Sequence, residues 1–213
     1  MMISEIKKII KNFKRIGNKF EDLFFEKYYS LDLGGVIKNQ DLIELPQNSK
    51  NHATAYQAVW NSSIRELLLQ AEKTMYKFEN FIDIGSGKGK ACFYVYIKKG
   101  HQFKNITGIE FSRSLIEIAN LNNKKIKSKK IRFIEMDASN YIIPTENNLI
   151  FLFNPFDEII FDLFIRNNLE NFKKHNSIIA YANDVSSSLL IKYGFRIIYK
   201  NNKRNISLYE IYS

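Results

Sequence analysis

This 213-residue sequence predicts an α/β fold: a doubly wound, mostly parallel seven-stranded sheet with a terminal antiparallel hairpin, plus an N-terminal helical extension. Three observations predict it. From about residue 80 onward, short apolar runs alternate with helix-length amphipathic segments, the pattern of βαβ units. The first run closes on a glycine-rich turn within residues 81–90, FIDIGSGKGK. The last two runs are separated only by a turn at 200–205, so their strands must pair antiparallel.

In chain order, Ile3, Ile6, Ile9, Ile10, Phe13, Ile16, Phe20, Leu23 and Phe24 recur at steps of three and four, with Lys7, Lys8, Lys11, Lys14, Arg15 and Lys19 between them. This spacing predicts an amphipathic helix to about residue 29, with Gly17 as a break point. Its expected role is to pack on the domain or on a second subunit; the other reading is a membrane-surface helix. Residues 28–46 are irregular, with a turn at Gly34 and Gly35. A second helix is expected over 53–76, with Tyr56, Val59, Trp60, Ile64, Leu67 and Leu68 as its apolar face. Residues 1–76 thus form the extension and 77–213 the main domain.

Strand 81–84 then turns into a helix over 90–98 that ends near Gly100. Strand 105–111 follows, a helix over 112–123 capped by Ser112, a basic loop at 124–130 and a strand over 131–136. The run 149–153, LIFLF, suits a central strand buried on both faces. A helix over 158–174, a strand over 177–181 and the two closing strands, 195–199 and 206–212, complete the chain.

Hydrophobic residues make up 45% of the chain and aromatic residues 14%, which excludes a disordered protein. No apolar run approaches the roughly 18 residues that span a bilayer. A lone cysteine, Cys92, allows no internal disulfide, and a cytoplasmic location is expected. The net charge of +10 suits an anionic partner, RNA or a membrane surface, although Lys, Asn and Ile are abundant throughout. Neither Cys/His spacing for a metal nor a nucleophile elbow is present.

The turn carries the chemistry. Glycine takes positive φ without penalty and lets backbone approach a ligand, and a following helix offers N–H groups and a positive dipole end. A dinucleotide fingerprint, GxGxxG, requires glycine at position 90, where the chain has Lys90. The pattern present is DxGxGxG, from Asp83 through Gly85, Gly87 and Gly89. A carboxylate, Glu110, ends the next strand 25 residues after Gly85, near the roughly 20-residue interval at which such folds place an acid on ribose hydroxyls. Asp137 with Ala138, and then Asn154, Pro155 and Phe156, end the next two strands. Ligands of open α/β sheets sit outside the carboxyl ends of the strands, so these groups should meet on one edge.

This arrangement resembles the class I S-adenosylmethionine (SAM) methyltransferases, over about residues 80–212. It is most similar to small bacterial members with a DxGSGKGR-type turn and a strand-four FNPF; here these read DIGSGKGK and, from Phe153, FNPF. The resemblance implies SAM as cofactor. Asp83, Gly85, Ser86, Gly87 and Gly89 would surround its aminoacyl part, Glu110 with Phe111 would hold the ribose, and Asp137 and Ala138 would meet the adenine. Tyr56, with Gln57, looks like an upstream tyrosine motif that closes over the methionine end. Asn154, Pro155 and Phe156 resemble the acceptor motif of amino-methyltransferases, although one proline stands where that motif has two.

The acceptor stays open between nitrogen and oxygen, on a protein side chain, a small molecule or saccharide, or RNA. A base for oxygen methylation would come from His52, His101, His175, Asp157 or Asp184. The competing readings are an NAD-dependent oxidoreductase and a non-catalytic binding protein of the same fold.

Overall fold

The computed structural model describes residues 2–38, 55–153 and 155–212. Helix α1 spans Met2–Tyr28 without interruption at Gly17. Two-residue strands β1 (Val36–Ile37) and β2 (Tyr56–Gln57) pair antiparallel and lead into α2 (Asn61–Ala71). The main sheet then alternates with helices: β3 (Asn80–Ile84), α3 (Lys90–Lys99), β4 (Asn105–Glu110), α4 (Arg113–Ile126), β5 (Ile131–Glu135), β6 (Asn148–Phe153), α5 (Glu158–Lys174), β7 (Ile178–Ala182), α6 (Ser187–Lys192), β8 (Arg196–Asn201) and β9 (Ile206–Glu210).

The seven strands of this sheet lie in the order β5-β4-β3-β6-β7-β9-β8. All pairs from β5 to β7 are parallel; β9 pairs antiparallel with both β7 and β8, as the short closing turn requires. Residues of β3, β6 and β7 are buried on both faces because helices cover both sides. On one side, Phe81 and Phe151 pack with Phe93 and Val95 of α3, Ile64 and Leu67 of α2, and Phe25 of α1. On the other, Ile82, Ile84 and Ile150 pack with Phe161, Phe164 and Phe172 of α5 and Leu190 of α6. Segment 1–76 therefore contributes to the same core as the sheet. The order reverses between β3 and β6, and the crevice expected at such a switch point lies at their carboxyl ends.

Several local expectations are corrected. The helix over 53–76 begins only at Asn61. Residues 53 and 54 lie outside the described residues, and 56–57 form β2, where Tyr56 donates its hydroxyl proton to the Leu33 carbonyl (2.6 Å) and pairs with Ile37. Such long-range partners override a helical spacing. Lys124 and Lys125 are helical and not part of a basic loop, since α4 continues until Lys127 turns left-handed (φ 57°) and its N–H closes on the Asn123 carbonyl (2.7 Å). Gly100 keeps a right-handed conformation and continues into a single 3-10 turn. Helix α6, six residues long, was not expected. Asp157 caps α5, its carboxylate accepting from the Ile159 and Ile160 amides (3.1 and 3.2 Å).

Candidate active site

The glycine turn is locked to β4 before any ligand arrives. The amides of Gly85 and Ser86 both donate to the Ile109 carbonyl (2.8 and 2.9 Å), Gly87 N–H donates to Glu110 Oε2 (2.9 Å), and Gly89 N–H to the Ser86 carbonyl (2.8 Å). These four amides of the turn are therefore already bonded within the protein. A phosphate would need those donors; a cofactor without phosphate needs only the close approach that glycine permits.

That approach is tight at two points. A Cβ on Gly85 would lie 2.1 Å from Pro155 Cβ, and Gly85 has φ +75°. A Cβ on Gly87 would lie 2.2 Å from Tyr56 Cε2, at φ +54°. Thus Pro155 leans on one side of the turn and the Tyr56 ring covers the other.

Two carboxylates stand behind the turn, both buried. Glu110 accepts from Gly87 through Oε2 and from Ser112 N–H through Oε1 (3.0 Å), so it joins the turn to the start of α4. Burial pushes its carboxyl above the usual range, and these backbone donors oppose that push. Asp83 is pushed up to about 8, first by burial and then by the nearby Glu110 charge, with the Cys92 thiol as a weak opposing donor (3.8 Å). At neutral pH a carboxyl of this kind holds its proton until a cation arrives.

A cavity of about 250 Å³ opens beside them, lined by Asp83, Gly85, Ser86, Glu110 and Phe111 together with Tyr56, Gln57, Phe153, Pro155 and Asn183. An adjoining slot is lined by Gly85, Glu110, Phe111, Asp137, Ala138, Pro155 and Phe156, with Met136 and Ile160. Gly85, Glu110, Phe111 and Pro155 border both spaces. Asp137 caps a single 3-10 turn at Ala138–Asn140, its Oδ1 accepting from the Ser139 amide and hydroxyl (2.8 and 2.6 Å). Of the sequence-predicted residues, Tyr56, Asp83, Gly85, Ser86, Glu110, Phe111, Asp137, Ala138, Pro155 and Phe156 line one or both spaces, and Asn154 lies outside the described residues. Gly87 and Gly89 border neither space: Gly87 lies under the Tyr56 ring, and Gly89 starts α3, against Phe133 and Phe93.

None of the candidate bases among the described residues lines either space. His101 and His175 follow the carboxyl ends of α3 and α5, at the opposite edge of the sheet. Asp157 is the cap of α5, and Asp184 accepts from Ser207 (2.7 Å) and Tyr209 to tie β7 to β9. His52 lies outside the described residues.

Sequence reasoning missed Asn183, which lines the cavity in a left-handed conformation (φ 55°), and both lysines of the turn. Lys88 Nζ binds Asp32 (2.7 Å) and the Gly34 carbonyl (2.9 Å), and lies 5.7 Å from the centroid of the Tyr56 ring. Lys90 Nζ binds Asp22 of α1 (2.5 Å), with Glu26 at 3.8 Å. Both lysines are buried, so each needs its carboxylate. The available signal was a cluster of acids, Glu21, Asp22 and Glu26 at the end of an otherwise basic helix and Asp32 just beyond it.

Residues 75–205 match a family described as "Methyltransferase domain". The chain belongs to that family. It is a SAM-dependent methyltransferase. Solved structures carry the same fold at low identity. The ribosomal protein L11 methylase of Lactobacillus delbrueckii subsp. bulgaricus has a TM-score of 0.51 at 13% identity, over 70% of this chain and 76% of that one. TrmN from Thermus thermophilus has 0.53 at 13%, over 72% of this chain and 49% of its own, so this methyltransferase spans about half of that protein. A chain of the complex between the Haloferax volcanii Trm112 methyltransferase activator and a putative methyltransferase has 0.52 at 7%, over 72% and 90%. No curated protein matches the sequence.

The methyltransferase's own residues fit the cofactor. SAM carries an ammonium and a sulfonium, for which a buried, cation-seeking Asp83 is complementary. The Ser86 hydroxyl is buried with no hydrogen-bond partner among the described residues, and Ser86 borders the larger cavity.

Proposed function

We propose that the two adjoining spaces hold SAM across Glu110 and that the methyl group passes to a nitrogen or oxygen acceptor at the mouth formed by Tyr56, Phe153 and Asn183. The observation that carries this reading is that Gly85, Glu110, Phe111 and Pro155 border both spaces. One ligand that is polar at its centre and different at its two ends matches that arrangement. The adenine takes the slot between Phe111, Ala138 and Phe156, where Asp137 accepts from the exocyclic amine. The ribose hydroxyls meet Glu110, and the aminoacyl end lies against Asp83, Gly85 and Ser86.

SAM supplies an activated methyl carbon when bound; the protein's part is alignment and exclusion of water. Tyr56 does both, because its hydroxyl is held on Leu33 and its ring closes over Gly87. In this reading Phe156 is a wall of the adenine slot. Asn154 and the Pro155 carbonyl remain the groups that accept from an attacking amine. The acceptor is a protein side chain, a small molecule or saccharide, or RNA. Family membership sets aside the nicotinamide reading.

Calorimetric titration with SAM and its demethylated product tests the site, alongside Glu110→Ala. Binding to the wild type and at least tenfold weaker binding in the variant are expected, since a charged acceptor of hydrogen bonds is worth about 1.5–3 kcal/mol. Equal affinity in the variant would sink the ribose assignment. Labelled-methyl transfer to a panel of amines, hydroxyls and RNA then selects the acceptor.

A further inference from the structure

Helix α1 faces the wrong way for an amphipathic helix of a globular domain. Asp22 and Phe25 are buried against the domain, and Glu26 and Tyr29 are partly covered on the same side. This contact face holds the Asp22–Lys90 pair and the Asn61 amide, which donates to Asp22 (3.1 Å). At about 100° per residue, Ile16, Phe20, Leu23, Phe24 and Tyr28 fall together on the opposite side. Phe20, Phe24 and Tyr28 are 70%, 69% and 68% exposed, and Ile16 and Leu23 are exposed as well. The helix is held by its acidic face and turns its apolar stripe to solvent.

Large exposed apolar patches mark interaction surfaces, and charge identifies this one's partner. Between residues 2 and 19 the sequence has six basic residues and one acid, half of the chain's net charge of +10. Lys14 and Lys19, both exposed, fall on the two borders of the stripe, with Arg15 behind. Lys27 sits in the stripe at its domain end, where a long side chain can extend its charge sideways. Two copies meeting in parallel along this stripe would bring their basic halves together. An anionic surface with an apolar interior meets both demands. No described helix is long and apolar enough to cross a membrane, so the fit is to a helix lying in the headgroup boundary.

We propose that α1 anchors the enzyme on an anionic lipid bilayer: the stripe of Ile16, Phe20, Leu23, Phe24 and Tyr28 enters the headgroup boundary, and flanking Lys14 and Lys19 contact anionic headgroups. The acidic end of α1 stays locked on Lys90 and, through Glu21, on Arg65. The same helix therefore ties the membrane contact to the glycine turn.

Flotation of the full chain with phosphatidylcholine vesicles, with and without phosphatidylglycerol, tests the anchor, with SAM affinity and circular dichroism as controls. Binding is expected to the anionic vesicles and to weaken with added salt. Phe20→Glu/Phe24→Glu should lower it at least tenfold, and Lys14→Gln and Lys19→Gln roughly fivefold each, all with the controls unchanged. No vesicle binding, or binding indifferent to these substitutions, overturns the proposal. So does a dimer in sedimentation velocity that Phe20→Glu/Phe24→Glu dissociates, or association with RNA alone that survives loss of both phenylalanines.

Discussion

Replacing Asp83 by Asn should make the empty enzyme more stable while weakening its hold on SAM. The carboxyl is buried behind the glycine turn and pushed up to about 8 from 3.8. Between those two values the folded protein keeps a proton that the unfolded chain has released. Its contribution is fully present below about pH 3.8 and is lost as pH rises toward 8. At about 1.36 kcal/mol per unit, the gap between 3.8 and pH 7 costs the fold up to ~4 kcal/mol, and the gap up to pH 5 only about 1.5. An asparagine mimics the protonated acid and removes the cost. A gain of ~4 kcal/mol corresponds to roughly 8–16 °C in a protein of this size. Thermal melts at pH 7 and pH 5 should therefore show a gain for Asp83→Asn that is more than twice as large at pH 7. Titration with SAM should show affinity lowered about 10- to 100-fold, as for loss of a charge-assisted hydrogen bond. In the wild type, binding at pH 7 should also release close to one proton, visible as heats that depend on the buffer; the variant should release none. A gain independent of pH, or a loss at both values, would refute the assignment of the cost to this carboxyl.

The other predictions concern the turn and its supports. Gly87→Ala places a methyl group 2.2 Å from the Tyr56 ring at a positive φ, and should cost about 1–3 kcal/mol in urea unfolding. Adding Tyr56→Ala should restore only the part due to the clash, and SAM affinity should remain low; full recovery would mean that φ is not strained. Lys90→Met leaves Asp22 buried without its cation and should cost about 3–5 kcal/mol, whereas a loss below about 1 kcal/mol would show that α1 is not held through this pair. The Cys92 thiol is fully buried beside Asp83, and burial pushes it well above its usual range. A thiol reagent at pH 8 should react with it only after denaturation, and rapid reaction of the native enzyme would contradict this packing.

The sheet was legible because its central strands are written in residues that burial on two faces demands. FIDI and LIFLF admit few other places, and the polar residues that close these runs had to emerge on one edge. Those closing residues, Asp83, Glu110, Asp137 and Pro155, meet as the spacing predicted. Tyr56 and the two lysines were hidden for a different reason: their partners are distant in sequence. Tyr56 reads as a helical apolar position until its hydroxyl is matched to Leu33, and Lys88 and Lys90 read as filler in a glycine motif until Asp32 and Asp22 approach from 56 and 68 residues upstream.

Helix α1 shows the same limit in its sharpest form. Periodicity reports how wide an apolar stripe is, but not which way it points. The domain presents Lys90 and Arg65 to the helix, and these cations select the face that carries Asp22, Glu21 and Glu26. A buried lysine left without a carboxylate costs several kcal/mol, and Lys90 finds its carboxylate only on the face that carries Asp22 and Glu26. Once Lys90 is buried, the acidic face must turn inward and the phenylalanines outward. Glu21, Asp22 and Glu26 at the end of this helix are therefore the sequence feature that sets its direction, and the apolar stripe is left for a second surface.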